Sequence, residues 1–312
     1  MRVRRRRSSL FVSCAAALAL LAPAPANAWG PNGHDYIATV ARDLLRARNP
    51  AAEARFQALL RRDSIAFAGN DSKTGAAVIC HGRDLREIAS WPDCIRRLRQ
   101  QSATGAMHFD DVPLCGNVPP PPPPLPAYCH GGNCATEGLK GFIETLSNRR
   151  APRQERARAL AWIIHIVGDL HQPLHNVDNG NDRGGNLVRL TIAGDAFGDR
   201  HFSSDNLHSL WDTPMVFAAV GEGPGAVAQV RALADRHLTD WRESDTRAWV
   251  VRAHDIAQQA YETLPTPPAC GAGAARAGRV TSAYVAGLAG DVREQLAKGA
   301  IRLADIIEGA LS

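Results

Sequence analysis

Past residue 28 the chain has no excess of either charge. Five of its 36 Lys and Arg side chains are Arg2, Arg4, Arg5, Arg6 and Arg7, and the remainder equal the 31 Asp and Glu. This excludes bulk positive charge as a way of holding nucleic acid or a membrane surface, so a polyanion has to be held by local charge. No apolar run approaches the ~18 residues of a membrane-spanning helix. No internal repeat is visible, and no linker is long or polar enough to divide the chain. The seven cysteines form no C-x-x-C pair, which speaks against zinc held by cysteine. Apolar residues at 45% and charged residues at 21% exclude disorder.

Residues 1–28 read as a targeting segment. The arginine head precedes an apolar run from Leu10 to Ala22, and Ala26-Asn27-Ala28 is a small-x-small cleavage site. The mature protein is expected to begin at Trp29 and to be exported to the periplasm or the medium. Either the general secretory or the twin-arginine route fits. Cys14 leaves with this segment. Cys80, Cys94, Cys115, Cys129, Cys134 and Cys270 remain. An even number in an exported chain reads as three disulfides with 15 possible pairings.

The mature chain, 29–312, is predicted to be one all-α domain, a helical bundle with one small β-hairpin at most. Apolar residues recur at three- and four-residue steps in 34–48, 51–62, 84–98, 136–148, 153–171, 226–241, 245–263 and 281–310. Asp84 with Glu87 is a capping-box pair. The weakly alternating stretch 187–192 is the candidate hairpin. Pro119–Pro124 is an extended polyproline run, and Gly271–Gly278 reads as a flexible connector.

Chemistry concentrates in the helix at 153–171. It is apolar almost all round, yet it carries His165 and Asp169 four residues apart and so on one face. A buried carboxylate without a partner is costly, and a metal ion supplies a partner. Pro173 ends or kinks this helix and presents His175 near Asp169. A second four-residue pair, His208 and Asp212, lies in Asn-Leu-His-x-x-Trp-Asp. Asp93 and His108 follow tryptophan and methionine, and His34 follows Trp29 by five residues. Histidines and aspartates in one helical domain, most beside apolar anchors, point to zinc bound by nitrogen and oxygen.

These motifs in combination resemble the zinc-dependent, single-strand-specific nucleases of the S-one/P-one type, which are distantly related to bacterial zinc phospholipases C. They are Trp at the mature start with His five later, Ala-Ser-Trp-x-Asp, His-Phe-x-Asp, His-x-x-x-Asp-x-x-Gln-Pro-Leu-His, Gly-Gly-Asn and Asn-Leu-His-x-x-Trp-Asp. The resemblance covers essentially the whole mature chain and implies an all-α secreted enzyme with three zinc ions. Asp93, His108, His165 and Asp169 would hold the first. The α-amino nitrogen and carbonyl oxygen of Trp29, with His34 and a shared oxygen of Asp169, would hold the second. His175, His208 and Asp212 would hold the third. Asp93 and Asp169 thereby count among the catalytic residues, with Arg96 steadying the phosphate. Phe109 would stack on a base, Asp111 would read its edge, and Asn186 would bond the nucleotide.

The implied function is hydrolysis of single-stranded DNA and RNA to 5′-phosphate products, with release of phosphate from 3′-nucleotides, by a protein that is a monomer without a membrane anchor. A zinc phospholipase C and a non-catalytic zinc-binding secreted protein are the alternatives. The resemblance also implies the bridges Cys129–Cys134 and Cys115–Cys270, which leaves Cys80 with Cys94. The chain departs from the family at Pro92, where alanine is usual, at Cys80 and Cys94, and in the stretch 195–204, which resembles an insertion. His171 fits the motif without being a ligand. His81, His130, His201, His237 and His254 take no role.

Overall fold

The computed structural model describes residues 29–61, 64–115 and 128–312. The targeting segment 1–28 and the polyproline run Pro119–Pro124 lie outside them. Eleven α-helices are present among the described residues. In chain order they are α1 (Gly30–Arg48), α2 (Pro50–Leu59), α3 (Leu85–Ala89), α4 (Trp91–Ile95), α5 (Ala135–Ser147), α6 (Arg153–Leu170), α7 (Leu207–Asp212), α8 (Pro214–Val220), α9 (Gly223–Arg236), α10 (Thr246–Glu262) and α11 (Ser282–Leu311).

The apolar helix expected near 153–171 is α6, and every residue from Ala159 to Leu170 is buried. It can be buried on all sides because α1, α3, α4, α5 and α11 pack around it. The first and last helices are mates: α1 lies along α11, and Arg48 closes their ends through Asp305 at 2.8 Å and Glu308 at 3.3 Å.

The single helix expected over 84–98 is two short ones. Pro92 has no N–H to give and its ring would meet the carbonyl of Ile88, so the chain turns at Ser90 (φ −104°, ψ 3°) and restarts as α4. At the start of α3, Asp84 accepts the amide of Glu87 at 2.9 Å, while the Glu87 carboxylate takes the amide of Arg83 rather than that of Asp84.

Strands are few, but the expected single hairpin is corrected to two small sheets. β1 (Phe67–Asn70) and β2 (Ala77–Cys80) form the antiparallel pair. The 187–192 stretch does become a strand, β3 (Val188–Ile192), but it pairs in parallel with β4 (Ala275–Val280), drawn largely from the segment read as a flexible connector. A parallel pair needs a long crossover, which α7 to α10 supply.

The three disulfides are Cys80–Cys94, Cys115–Cys270 and Cys129–Cys134; the last two are the bridges the resemblance implied, and the first is the pair it left over. The first ties β2 to α4, and the last closes a short loop ahead of α5. The second joins segments 155 residues apart.

Candidate metal centre

The centre forms where α6 is met by three other segments. His165 and Asp169 project from one face of α6, both without solvent exposure. The start of α1 brings His34, whose ring stacks on that of His165 with centroids 4.1 Å apart. This approach depends on Gly168, since a Cβ there would lie 2.4 Å from His34 Nδ1. The turn at Ser90 brings Asp93. The 3-10 segment Arg99–His108 ends by placing His108 Nδ1 3.0 Å from Asp169 Oδ2 and 3.0 Å from His165 Nε2.

Beyond α6, Gln172 caps a short turn, Pro173–His175, and α7 carries His208 and Asp212. His175 Nε2 and His208 Nε2 stand 3.1 Å apart. Gln172 donates to Asp212 Oδ1 at 2.8 Å and leaves Oδ2 without a partner.

Three sets of donor atoms lie close enough to share an ion: His34, His165 and Asp169; Asp93, His108 and His165; and His175, His208 and Asp212. All the histidine and aspartate ligands expected from the sequence are brought into these sets. Asp169 also faces His108 at 3.0 Å and His175 at 3.8 Å, so it stands between the first two sets and the third. Trp29 is buried at the head of α1, with its carbonyl accepting from the Gly33 amide at 3.1 Å.

Hydrogen bonding tests whether these residues suit a cation. His165 Nδ1 faces the Ala89 carbonyl at 2.7 Å, His175 Nδ1 the His108 carbonyl at 2.6 Å, and His208 Nδ1 the Gly184 carbonyl at 2.7 Å. A carbonyl only accepts, so each Nδ1 carries the proton, and in the neutral ring Nε2 presents a lone pair. The His175 and His208 lone pairs then point at one another across 3.1 Å with no proton between them. His34 Nδ1, His108 Nε2 and Asp212 Oδ2 are buried without hydrogen-bond partners, and His34 Nε2 meets Asp169 Oδ1 only at 3.4 Å, without hydrogen-bond geometry. Native interiors rarely tolerate so many unmet groups. Electron pairs aimed inward with carbonyls fixing the opposite nitrogens is the arrangement of histidines that ligate metal. The donor set, nitrogen and oxygen without sulfur, fits zinc.

Burial also keeps four of the rings in the neutral form that can ligate. It lowers His34, drives His175 well below its ordinary value, and brings His108 and His208 down to about 4. In His165, burial opposes the charge, but Asp169 and Asp93 outweigh it and raise the value. Burial pushes the Asp212 carboxyl well up, assisted by Asp93 and Asp169 and only partly relieved by Gln172. For Asp169 burial is outweighed by His165 and His175, and the group is held well below the carboxylate range.

The residues expected to meet substrate border these sets. Arg96 places a guanidinium nitrogen 3.0 Å from Asp93 Oδ1. Phe109 is half-buried, with its ring 5.3 Å from that of His175. The chain is extended at Phe109 (φ −136°, ψ 155°). Alternation therefore turns Asp110 inward, to accept the amide of Thr136 at 3.2 Å, and leaves Asp111 exposed. Asn186, half-buried, donates to the Arg183 carbonyl at 2.8 Å. His171 lies outside the sets, and His254 faces the Pro113 carbonyl at 3.0 Å.

The sequence reading missed the residues that aim the ligands. Gln172 stood within a quoted motif, and its place before Pro173 was the available signal. The carbonyls of Ala89, His108 and Gly184 had none, because any residue supplies one.

Three groups of buried histidines and aspartates, their lone pairs converging in a helical core, define a candidate metal centre. The chain belongs to the S1/P1 nuclease family, whose sequence model matches residues 29–312. It is similar to Nuclease P1 of Penicillium citrinum, 27% identical over 197 residues that cover 62% of this chain and 60% of that protein. It is also similar to Nuclease S1 of Aspergillus oryzae, 26% identical over 71% of this chain and 67% of that protein. Endonuclease 2 of Arabidopsis thaliana is 22% identical over 88% of each chain. The match to the Penicillium protein thus spans about 60% of its length.

Proposed function

We propose that this protein is a zinc-dependent nuclease. It hydrolyses phosphodiester bonds in single-stranded DNA and RNA to give 5′-phosphate ends, and it releases phosphate from 3′-nucleotides. The observation that carries the reading is the set of buried lone pairs, above all the opposed Nε2 atoms of His175 and His208.

Asp93, His108, His165 and Asp169 would hold one zinc ion. Trp29, through its α-amino nitrogen and carbonyl oxygen, would hold a second with His34 and Asp169. His175, His208 and Asp212 would hold the third. When bound, zinc supplies positive charge that acidifies water and draws in phosphoryl oxygens.

The remaining work falls to side chains. Arg96, steadied by Asp93, donates to an equatorial phosphoryl oxygen and balances charge that develops there. Phe109 offers its face to an unstacked base, and Asp111 accepts a hydrogen bond from that base's edge. A base inside a duplex offers neither contact, so double-stranded DNA is a poor substrate. Asn186 uses its amide to bond the nucleotide.

Three disulfides suit an oxidising compartment. We accordingly place the working form outside the cytoplasm, as a monomeric domain of residues 29–312 freed of residues 1–28.

The test incubates purified protein with single-stranded DNA, RNA, duplex DNA, a 3′-nucleotide and phosphatidylcholine, with chelator and with zinc restored. Cleavage of the single strands and the 3′-nucleotide, lost to chelator and regained with zinc, is expected. Cleavage of phosphatidylcholine alone overturns the reading.

A further inference from the structure

His208 owes its orientation to a loop that is hard to form. Between Asp178 and Asn186 the chain takes positive φ at two residues other than glycine, Asn181 and Arg183, a region that side chains disfavour. Two carboxylates hold it there. Asp178 accepts the amides of Asn181 at 2.7 Å and Arg183 at 3.1 Å. Asp182, without solvent exposure, accepts the amide of Asn179 at 3.0 Å and the hydroxyl of Tyr261 at 2.6 Å. Tyr261 comes from α10 and is itself buried.

The loop leads directly to the third donor set. Its Gly184 carbonyl accepts from His208 Nδ1 at 2.7 Å, and its Gly185 carbonyl meets the His208 amide at 3.4 Å. Position 184 tolerates no side chain, since a Cβ would sit 2.2 Å from the Leu174 carbonyl oxygen. The loop backbone thus packs directly against the Leu174 carbonyl. Its shape decides which nitrogen of His208 holds the proton and which faces His175.

We propose that Asp182 and Tyr261 are positioning residues for the His175, His208 and Asp212 group. The phenol fixes the carboxylate, the carboxylate fixes the loop, and the Gly184 carbonyl holds His208 as the Nδ1–H tautomer with Nε2 free to ligate. Neither residue touches metal or substrate. Without the phenol hydroxyl, the buried carboxylate loses its side-chain partner and keeps only backbone amides of the loop, and the loop relaxes toward a shape that replaces the lost bond. The inference rests on reading those three residues as ligands.

The experiment uses Tyr261→Phe and Asp182→Asn in the otherwise intact processed protein. Zinc retained per chain is followed through a chelator series. The His208 ring nitrogens are followed by NMR in the metal-free state, and melting temperature is recorded beside them. Tyr261→Phe, which deletes one oxygen atom, carries the test should Asp182→Asn fail to fold. The expected result is a 10- to 100-fold weaker hold on one zinc of three, the range for outer partners of metal ligands. His208 is expected to become a mixture of tautomers, and excess zinc to restore turnover. Three zinc ions held as in the unsubstituted protein, with His208 still wholly the Nδ1–H form, overturn the proposal whatever the melting temperature does. Failure of the underlying ligand reading appears earlier, with Asp182 and Tyr261 intact, as a zinc content that His175→Ala leaves unchanged; that outcome removes both.

Discussion

His165 and His171 sit six residues apart at the end of the same helix, both without solvent exposure, and burial has opposite outcomes for them. His171 is complete. Its Nδ1 donates to the Val167 carbonyl at 2.7 Å, and its Nε2 accepts from Arg302 at 2.8 Å. Arg302 in turn reaches the Trp241 carbonyl at 3.2 Å and lies over the Trp249 ring at 5.2 Å. Burial, then Arg302 and Lys298, drive His171 well below its ordinary value, so it stays neutral and keeps accepting. Around His165 the neighbours are further histidines and carboxylates, and several of their buried atoms have no partner. A polar cluster that closes on itself explains its own presence in a core; one that does not close asks for a ligand. Burial alone could not have told the two histidines apart.

Removing Asp169 should separate the clusters most sharply. It stands between the donor sets, so Asp169→Ala is expected to lower kcat/KM on single-stranded DNA by about 10³-fold, roughly 4 kcal/mol. Zinc content should fall with it. Undiminished cleavage by that variant would end the mechanism.

Acid should act next, and only on metal-free protein. His108 and His208 titrate at about 4 in the folded chain, against 6.5 for the ordinary ring of the unfolded one. Between those values the unfolded state binds more protons at these two rings, so their contribution to stability falls as pH drops from 6.5 to 4. Each ring contributes about 3 kcal/mol of that loss, which is complete below the folded value and absent above the unfolded one. Bound zinc should move the fall to lower pH. Urea midpoints across this range, with and without chelator, should give two profiles; a single shared profile counts against unmet lone pairs as the cause.

A residue added before processed Trp29 turns its amine into an amide, which has no lone pair to give. Metal analysis should find one zinc fewer, and turnover should fall by about 10- to 100-fold while the fold is kept. Three zinc ions with full turnover in the extended protein would remove Trp29 from the ligand set.

The closed cluster should respond in the opposite sense. Arg302→Met leaves His171 Nε2 buried and unpaired, at a cost of about 1–3 kcal/mol in stability by urea titration. Zinc content and turnover per folded molecule should not change. The smallest effect is expected at Asp111→Ala, which should raise KM for single strands about tenfold, about 1.4 kcal/mol, and leave kcat close to its original value. A change confined to kcat would place Asp111 elsewhere in the reaction.

The legibility of these regions in the sequence varied with the physics behind each. A helix buried all round shows itself by composition, and α6 did. A pair spaced by four on such a helix shows itself too, and His165 with Asp169 did. Pro92 was visible, but helical periodicity runs through it, and only the missing N–H and the ring's contact with the chain behind it make a break at Ser90. The β3–β4 pair was hidden because pairing between strands so far apart in the chain leaves no local pattern, and Gly271–Gly278 has the composition of a connector. The short helices α7 and α8 carry too few turns for a period to emerge. At the site, residues whose type is itself the chemistry were legible. The carbonyls that aim them were not, and neither was the Tyr261 hydroxyl on Asp182, which becomes a neighbour only in the folded molecule.

The pairing of α1 with α11 bears on how such a chain is made. The ion pair of Arg48 with Asp305 spans 257 positions, and the two helices bury one another's apolar faces. The contact between α1 and α11 therefore cannot form until the ribosome has finished almost the whole chain, and the bridge from Cys115 must likewise wait for Cys270. Closure of the helical core is thus a late event in synthesis, even though neighbours such as α5 and α6 can pair early.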